Sequence, residues 1–158
     1  FLEPEFALME IELYVRMLAL SEPKSILQWQ LTSDYSLLAG GGVYGDTTAL
    51  RPTQRFWNLK QLASTPERVH HLPMQCNRPI SCAALGNLGE GSLSLHLVNN
   101  GASRPATITG IPQGVRSLRV WVTNAERAMK EGTAIPVESG RAQISLDAAS
   151  YVTLIGVR

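Results

Sequence analysis

A chain of 158 residues, 44% hydrophobic and 17% charged, has the length of one ordinary domain or of a small domain with an appendage, and its composition excludes disorder. Its 14 basic and 13 acidic residues leave a net charge of +1 with no run of Lys or Arg, so nucleic acid has no electrostatic foothold. No apolar stretch approaches the roughly 20 residues of a membrane-spanning helix. The chain opens on Phe1 rather than Met and is expected to begin inside a longer polypeptide.

Residues 4–20 read as a helix. Phe6, Met9, Leu13, Met17 and Leu20 recur at helical spacing, and Leu8, Ile11, Val15 and Leu18 form a second apolar row. Two rows imply burial on more than one side. Pro4 suits the first turn, and Ser21-Glu22-Pro23 ends the helix. Residues 25–31 have the length of a strand, with Leu27, Trp29 and Leu31 on one face and Ile26, Gln28 and Gln30 on the other. Bulk on both faces suits a parallel sheet covered by helices. A long polar loop with Gly40, Gly41 and Gly42 follows. Residues 52–63 then form a second helix with Phe56, Leu59 and Ala63 on one side, and Pro66 closes it.

From residue 67 short apolar runs alternate with turn residues, the mark of a β-sandwich or barrel. Strands are expected near 68–75, 79–86, 92–99, 104–110, 117–123, 133–138, 141–147 and 151–157. Ser139-Gly140 reads as the two-residue loop of a hairpin. The expected core is Leu93, Leu95, Leu97, Leu118, Val120, Val122, Ile144, Leu146 and Leu154. Cys76 and Cys82 could form a disulfide from adjacent strands, but the favoured reading is two free buried thiols. His70 and His71 are neighbours whose rings point to opposite faces of a strand, and no Cys/His spacing resembles a metal site. No metal or cofactor is expected. The fold class is therefore mostly β: an antiparallel sandwich, residues 66–158, after a helix–strand–helix unit, residues 1–65. One strand and two helices cannot build a covered parallel sheet, so the rest of that sheet is expected upstream.

The order of these elements carries a resemblance. Trp29-Gln30 at a strand end, a Gly-rich loop, then Arg51-Pro52-Thr53-Gln54-Arg55-Phe56-Trp57-Asn58-Leu59-Lys60 resembles the C-terminal region of clan A glycoside hydrolases. These are retaining enzymes built on a (β/α)8 barrel, often with a β-sandwich appended after the eighth helix. The resemblance implies that residues 1–65 are the end of such a barrel (helix seven, strand eight, helix eight) and that the sandwich braces it. It implies a carbohydrate substrate and a secreted or periplasmic location. It places no catalytic residue in this chain, because the two carboxylates of retaining hydrolysis would lie on strands four and seven, upstream. Glu3 and Glu5 read instead as acids complementing the helix dipole. Trp29 would stack on the sugar, and Gln30, Asp34 and Tyr35 would bond its hydroxyls. The chain alone is expected to be inactive and to self-associate through surfaces shaped for the barrel. Two other classes fit the sandwich by itself. A carbohydrate-binding module would need Trp121, Tyr151 or the histidines as an exposed platform, whereas Trp121 is read as an interface residue. A structural domain of a surface protein would leave the Trp29-Gln30 strand unexplained.

Overall fold

The computed structural model describes residues 2–28 and 36–158. Helix α1 spans Pro4–Leu20, with Pro4 in its first turn. It buries Ala7, Leu8, Ile11 and Val15, and the last three pack onto a sheet against Ala83, Val98 and Tyr151. Of its other apolar row, Phe6 and Met17 are half-buried, while Met9 is 63% exposed, Leu13 55% and Leu20 77%. Within this chain α1 therefore buries one side, not two. Ser25–Gln28 carry no strand pairing. A parallel strand takes its backbone partners from strands on both sides, and none is supplied there by the described residues. The remainder of the strand expected over 25–31 lies outside the described residues.

Strands β1 (Leu38–Ala39) and β2 (Arg51–Pro52) form a small antiparallel ribbon. Helix α2 (Gln54–Ala63) follows, capped by Thr53, whose Oγ1 accepts from the Phe56 N–H. The side of α2 that is buried is not its apolar one. Arg55, Asn58 and Gln61 are buried, while Phe56 and Leu59 are half-buried and Ala63 is exposed. The helix turns a polar face inward because the groups it meets there are polar. They are the Glu10 carboxylate, the Ala7 carbonyl and backbone carbonyls on the outer face of the sheet.

The longer strands follow the expected series, while β3 and β9 are shorter than expected and β8 was not expected: β3 (His70–Leu72), β4 (Ile80–Asn87), β5 (Ser92–Asn99), β6 (Arg104–Thr109), β7 (Ser117–Thr123), β8 (Lys130–Glu131), β9 (Ile135–Pro136), β10 (Arg141–Leu146) and β11 (Ser150–Val157). A seven-stranded sheet runs β3-β4-β5-β11-β7-β8, with β9 also paired to β7, and β10 pairs with β6 in a second sheet. Cross-strand rows build the core between the sheets. Ala84, Leu95, Leu154 and Val120 form one row, and Cys82, Leu97, Val152 and Val122 another. Ile108, Ala142 and Leu146 close on them from the second sheet. Every expected core residue is buried except Ile144, which is half-buried.

The hairpin at Ser139-Gly140 is present. Both residues have positive φ, and Glu138 and Arg141 exchange backbone hydrogen bonds of 2.9 Å, as a two-residue loop requires. Its arms then part, since β9 stays with β7 and β10 joins β6. The cysteines correct the favoured reading: Cys76 and Cys82 are joined in a disulfide across a Cα separation of 6.2 Å. Cys76 lies in the loop before β4, which folds back to reach Cys82, so no second strand is needed.

These positions set a contrast in stability. Leu95 is 5% exposed in the centre of the sandwich, and Leu95→Ala should cost ~2–5 kcal/mol in urea unfolding. Leu13→Ala, on the outward row of α1, should cost less than about 0.5 kcal/mol.

Candidate functional site

The four candidate sugar-binding residues, Trp29, Gln30, Asp34 and Tyr35, lie outside the described residues. The residues that bracket them are held firmly. On one side, the Tyr14 hydroxyl of α1 donates to Gln28 Oε1. On the other, Ser36 is buried and its carbonyl accepts from Arg55 Nη1 at 3.1 Å. The same guanidinium donates through Nε and Nη2 to the two oxygens of Glu10 at 2.8 and 2.7 Å, and it lies 5.4 Å from the centre of the Phe6 ring. Arg55 is 1% exposed. A fork of donors matched to a carboxylate is the geometry that makes such a pair strong. Removing one partner of a buried pair typically costs 3–5 kcal/mol, because the other is left uncompensated. Burial raises the Tyr14 pKa, the Glu10 charge raises it further, and Arg55 offsets part of the effect.

Beyond Ser36 the chain enters an arm. The Thr53 N–H donates to the Leu37 carbonyl at 3.1 Å, and β1 and β2 pair just above that root. Gly40 has φ +87°, and a Cβ there would sit 2.4 Å from the Ala49 carbonyl oxygen, so glycine alone fits. Gly41 and Gly42 donate to Thr48 and Asp46 carbonyls at 2.8 and 2.7 Å. Asp46 accepts from the Thr48 backbone and hydroxyl and pairs with Arg51 at 2.8 Å. The Thr48 hydroxyl bond and then the Arg51 guanidinium hold the Asp46 carboxyl at a pKa of about 2.

A buried polar layer joins α2 to the outer face of the large sheet. Gln61 Nε2 donates to the carbonyls of Trp121 and Tyr151 and to Thr153 Oγ1, and its Oε1 accepts from Thr123 Oγ1 at 2.7 Å. His96 lies beside it, with Nδ1 2.7 Å from the Tyr151 hydroxyl and Nε2 3.1 Å from both Ser94 Oγ and Thr65 Oγ1. Burial lowers its pKa to about 4. The helix carboxylates are engaged likewise: Glu12 bonds Ser81 and Asn100. Glu3 and Glu5 are exposed at the start of α1. No group of three metal-ligating side chains occurs among the described residues, and no described helix is long and apolar enough to cross a membrane.

The aromatic platform of the binding-module reading is poor. Tyr151 is fully buried, and Trp121 is half-buried beneath Arg119, whose guanidinium lies 4.5 Å from the ring centre and bonds Glu131. The sequence reading missed Glu10, Arg55, Gln61 and His96. A signal was present for two of them: Arg55, Asn58 and Gln61 recur every third residue on one side of α2, and a polar stripe can mark a buried face as well as a wet one.

No family model and no curated protein matches the sequence. The likeness lies with solved structures, and it is one of fold. The fold is that of the C-terminal part of glycoside hydrolase family 30 xylanases, which belong to clan A. The chain aligns over its full length with 40% of the family 30 endoxylanase of Clostridium papyrosolvens C71, at TM-score 0.81 and 17% identity. It aligns over 99% with 40% of the family 30 subfamily 8 xylanase of Clostridium acetobutylicum, at TM-score 0.84 and 12% identity. A conserved exported protein from Bacteroides fragilis matches over 94% of this chain and 33% of its own, at TM-score 0.71 and 11% identity. The chain thus spans well under half of these proteins.

The neutral burial of His96 predicts an acid-sensitive fold. The unfolded imidazole takes a proton near pH 6.5 and the folded one only near pH 4, so stability is full above that window and falls as pH drops through it. Chemical denaturation at pH 7 and pH 4 should differ by roughly 3 kcal/mol from this group, and His96→Gln should flatten that part of the dependence.

Proposed function

We propose that the chain is the closing part of a retaining glycoside hydrolase: residues 1–65 end its (β/α)8 barrel and residues 66–158 form the sandwich that braces it. The observation that carries this reading is the end-to-end likeness to two family 30 xylanases, with helices and sandwich aligned together. The substrate class is a xylan-type polysaccharide or its oligosaccharides, and the site of action is secreted or periplasmic. The exported Bacteroides protein of the same fold supports that location. The two carboxylates of hydrolysis come from the preceding barrel strands. Trp29 stacks on a sugar ring, and Gln30, Asp34 and Tyr35 bond its hydroxyls.

Bracing has a physical route in this reading. Gln61 ties α2 to β7 and β11, and Arg55, six residues earlier, ties the same helix to α1 and to Ser36. The sandwich, α2 and the end of the sugar-binding segment are then one rigid unit. The outward row of α1 and Leu27, 93% exposed, would face the remaining barrel.

Three outcomes follow. The intact parent protein should hydrolyse xylan or aryl xylosides, whereas the 158-residue chain should show no turnover at any concentration. Turnover by the chain that is abolished by a substitution within it would sink the proposal. Light scattering should find the chain self-associated, and Leu13→Lys with Leu20→Lys should restore the monomer. In the parent, Arg55→Met should lower kcat/KM at least ~10-fold, consistent with loss of a positioned site.

A further inference from the structure

We propose that Asn100 is a deamidation site, and that its conversion to aspartate and isoaspartate loosens the hold of the sandwich on α1. The inference is independent of the glycoside hydrolase reading. Asn100-Gly101 is the one Asn-Gly step in the sequence. It stands just after β5, in the bend that leads to β6.

The chemistry of the pair makes the first argument. The backbone nitrogen of Gly101 attacks Cγ of the Asn100 side chain. A new C–N bond closes a cyclic imide as the Cγ–Nδ2 bond breaks, and the proton of the attacking nitrogen leaves with the amide nitrogen as ammonia. Water then opens the imide at either carbonyl, giving aspartate or isoaspartate. Water is the sole co-reactant, and nothing is oxidised or reduced. Asparagine is among the thermolabile residues, and a following glycine has no Cβ to obstruct the attacking nitrogen.

The structure leaves the reacting atoms accessible. Asn100 is exposed, whereas Asn99 before it is fully buried. Other groups hold the bend in place. Asn99 Nδ2 donates to the carbonyls of Ala102 and Asp147 at 3.0 and 2.7 Å, and the Gly101 carbonyl accepts from the Ala149 N–H at 3.1 Å. Among the described residues the Gly101 N–H has no backbone partner. Packing also favours glycine at this position. A Cβ on Gly101 would stand 2.9 Å from Pro79 Cγ and 3.1 Å from Arg104 Nη2. The fit of the bend thus retains the reactive pair.

The partner of Asn100 gives the reaction its consequence. Asn100 Nδ2 donates to Glu12 Oε2 at 3.0 Å, and Glu12 Oε1 accepts from Ser81 Oγ at 2.8 Å. One carboxylate of α1 therefore clips the helix to β4 and to the bend after β5. Deamidation replaces the donor by a second carboxylate, so the hydrogen bond is lost and two like charges face each other. Arg16 and Arg78 line the same cleft. They soften that repulsion without replacing the clip.

The test is a peptide map of the full chain held in warm, mildly alkaline buffer. The peptide carrying Asn100 should gain one mass unit with time, in aspartyl and isoaspartyl forms, ahead of the peptides carrying the other asparagines. Asn100→Gln, which keeps an amide, should remove that gain. Asn100→Asp should lower Tm by roughly 2–4 °C, and adding Glu12→Gln should restore most of the loss. An asparagine that served only to shape the bend would not show that recovery. An Asn100 peptide of unchanged mass overturns the inference. Asn100→Asp at undiminished Tm overturns its consequence for α1.

Discussion

The helical side of the molecule depends on the burial of one guanidinium. Arg55 sits between α1, α2 and the chain leaving Ser36, and it is satisfied only while all three hold their places. A charge taken out of water must find its compensation in full. This makes the arrangement nearly all-or-none: move α1 and Glu10 is lost, move the loop and the Ser36 carbonyl is lost. Apolar contacts tolerate sliding, but a forked donor on a carboxylate fixes both distance and angle.

That constraint explains how one sheet can be covered on both sides with unlike materials. Toward the second sheet, β5, β7 and β11 present Leu and Val, and the interface is a conventional apolar core. Toward the helices the same strands present Ser94, His96, Thr123 and Thr153. α1 answers with apolar residues over Ala83 and Val98, and α2 answers with amides and hydroxyl partners. Strand β5 is consequently buried from Leu93 to Asn99 on alternate faces alike. Its hydrophobic alternation reported one environment correctly and concealed the other.

How much of this was legible in the sequence follows from which signal each element carries. Period-two runs such as 92–99 and 117–123 placed the strands within a residue or two, because burial of one apolar face dominates there. Helix α1 was legible to its ends, since Pro4 and Pro23 punctuate it. α2 was found, but its apolar row did not tell which side is buried, because the partners across the gap are polar. The parting of β9 from β10 after a well-formed hairpin turn is set by tertiary pairing, which local turn chemistry does not encode. Two free thiols were favoured over the disulfide because a loop, not a pair of adjacent strands, brings Cys76 to Cys82. The candidate sugar contacts rested on resemblance to a family, and their bracketing by Tyr14 and Arg55 emerged only from the packing of distant helices.

The position of β11 bears on how this protein is made. It is the last strand in sequence, yet it lies in the middle of the large sheet, between β5 and β7. During synthesis β3, β4 and β5 can pair as they emerge, since they are neighbours in order and in space. The β7 side has no edge to join until residues 150–157 have left the ribosome. Until then β5 and β7 each present an unpaired edge in mid-sheet, with Leu95, Leu97, Val120 and Val122 waiting for Val152 and Leu154. Domains generally fold as units behind the growing chain. This one must delay its closure to the final eight residues of the sheet, a window in which the nascent chain depends on being kept from other exposed strands.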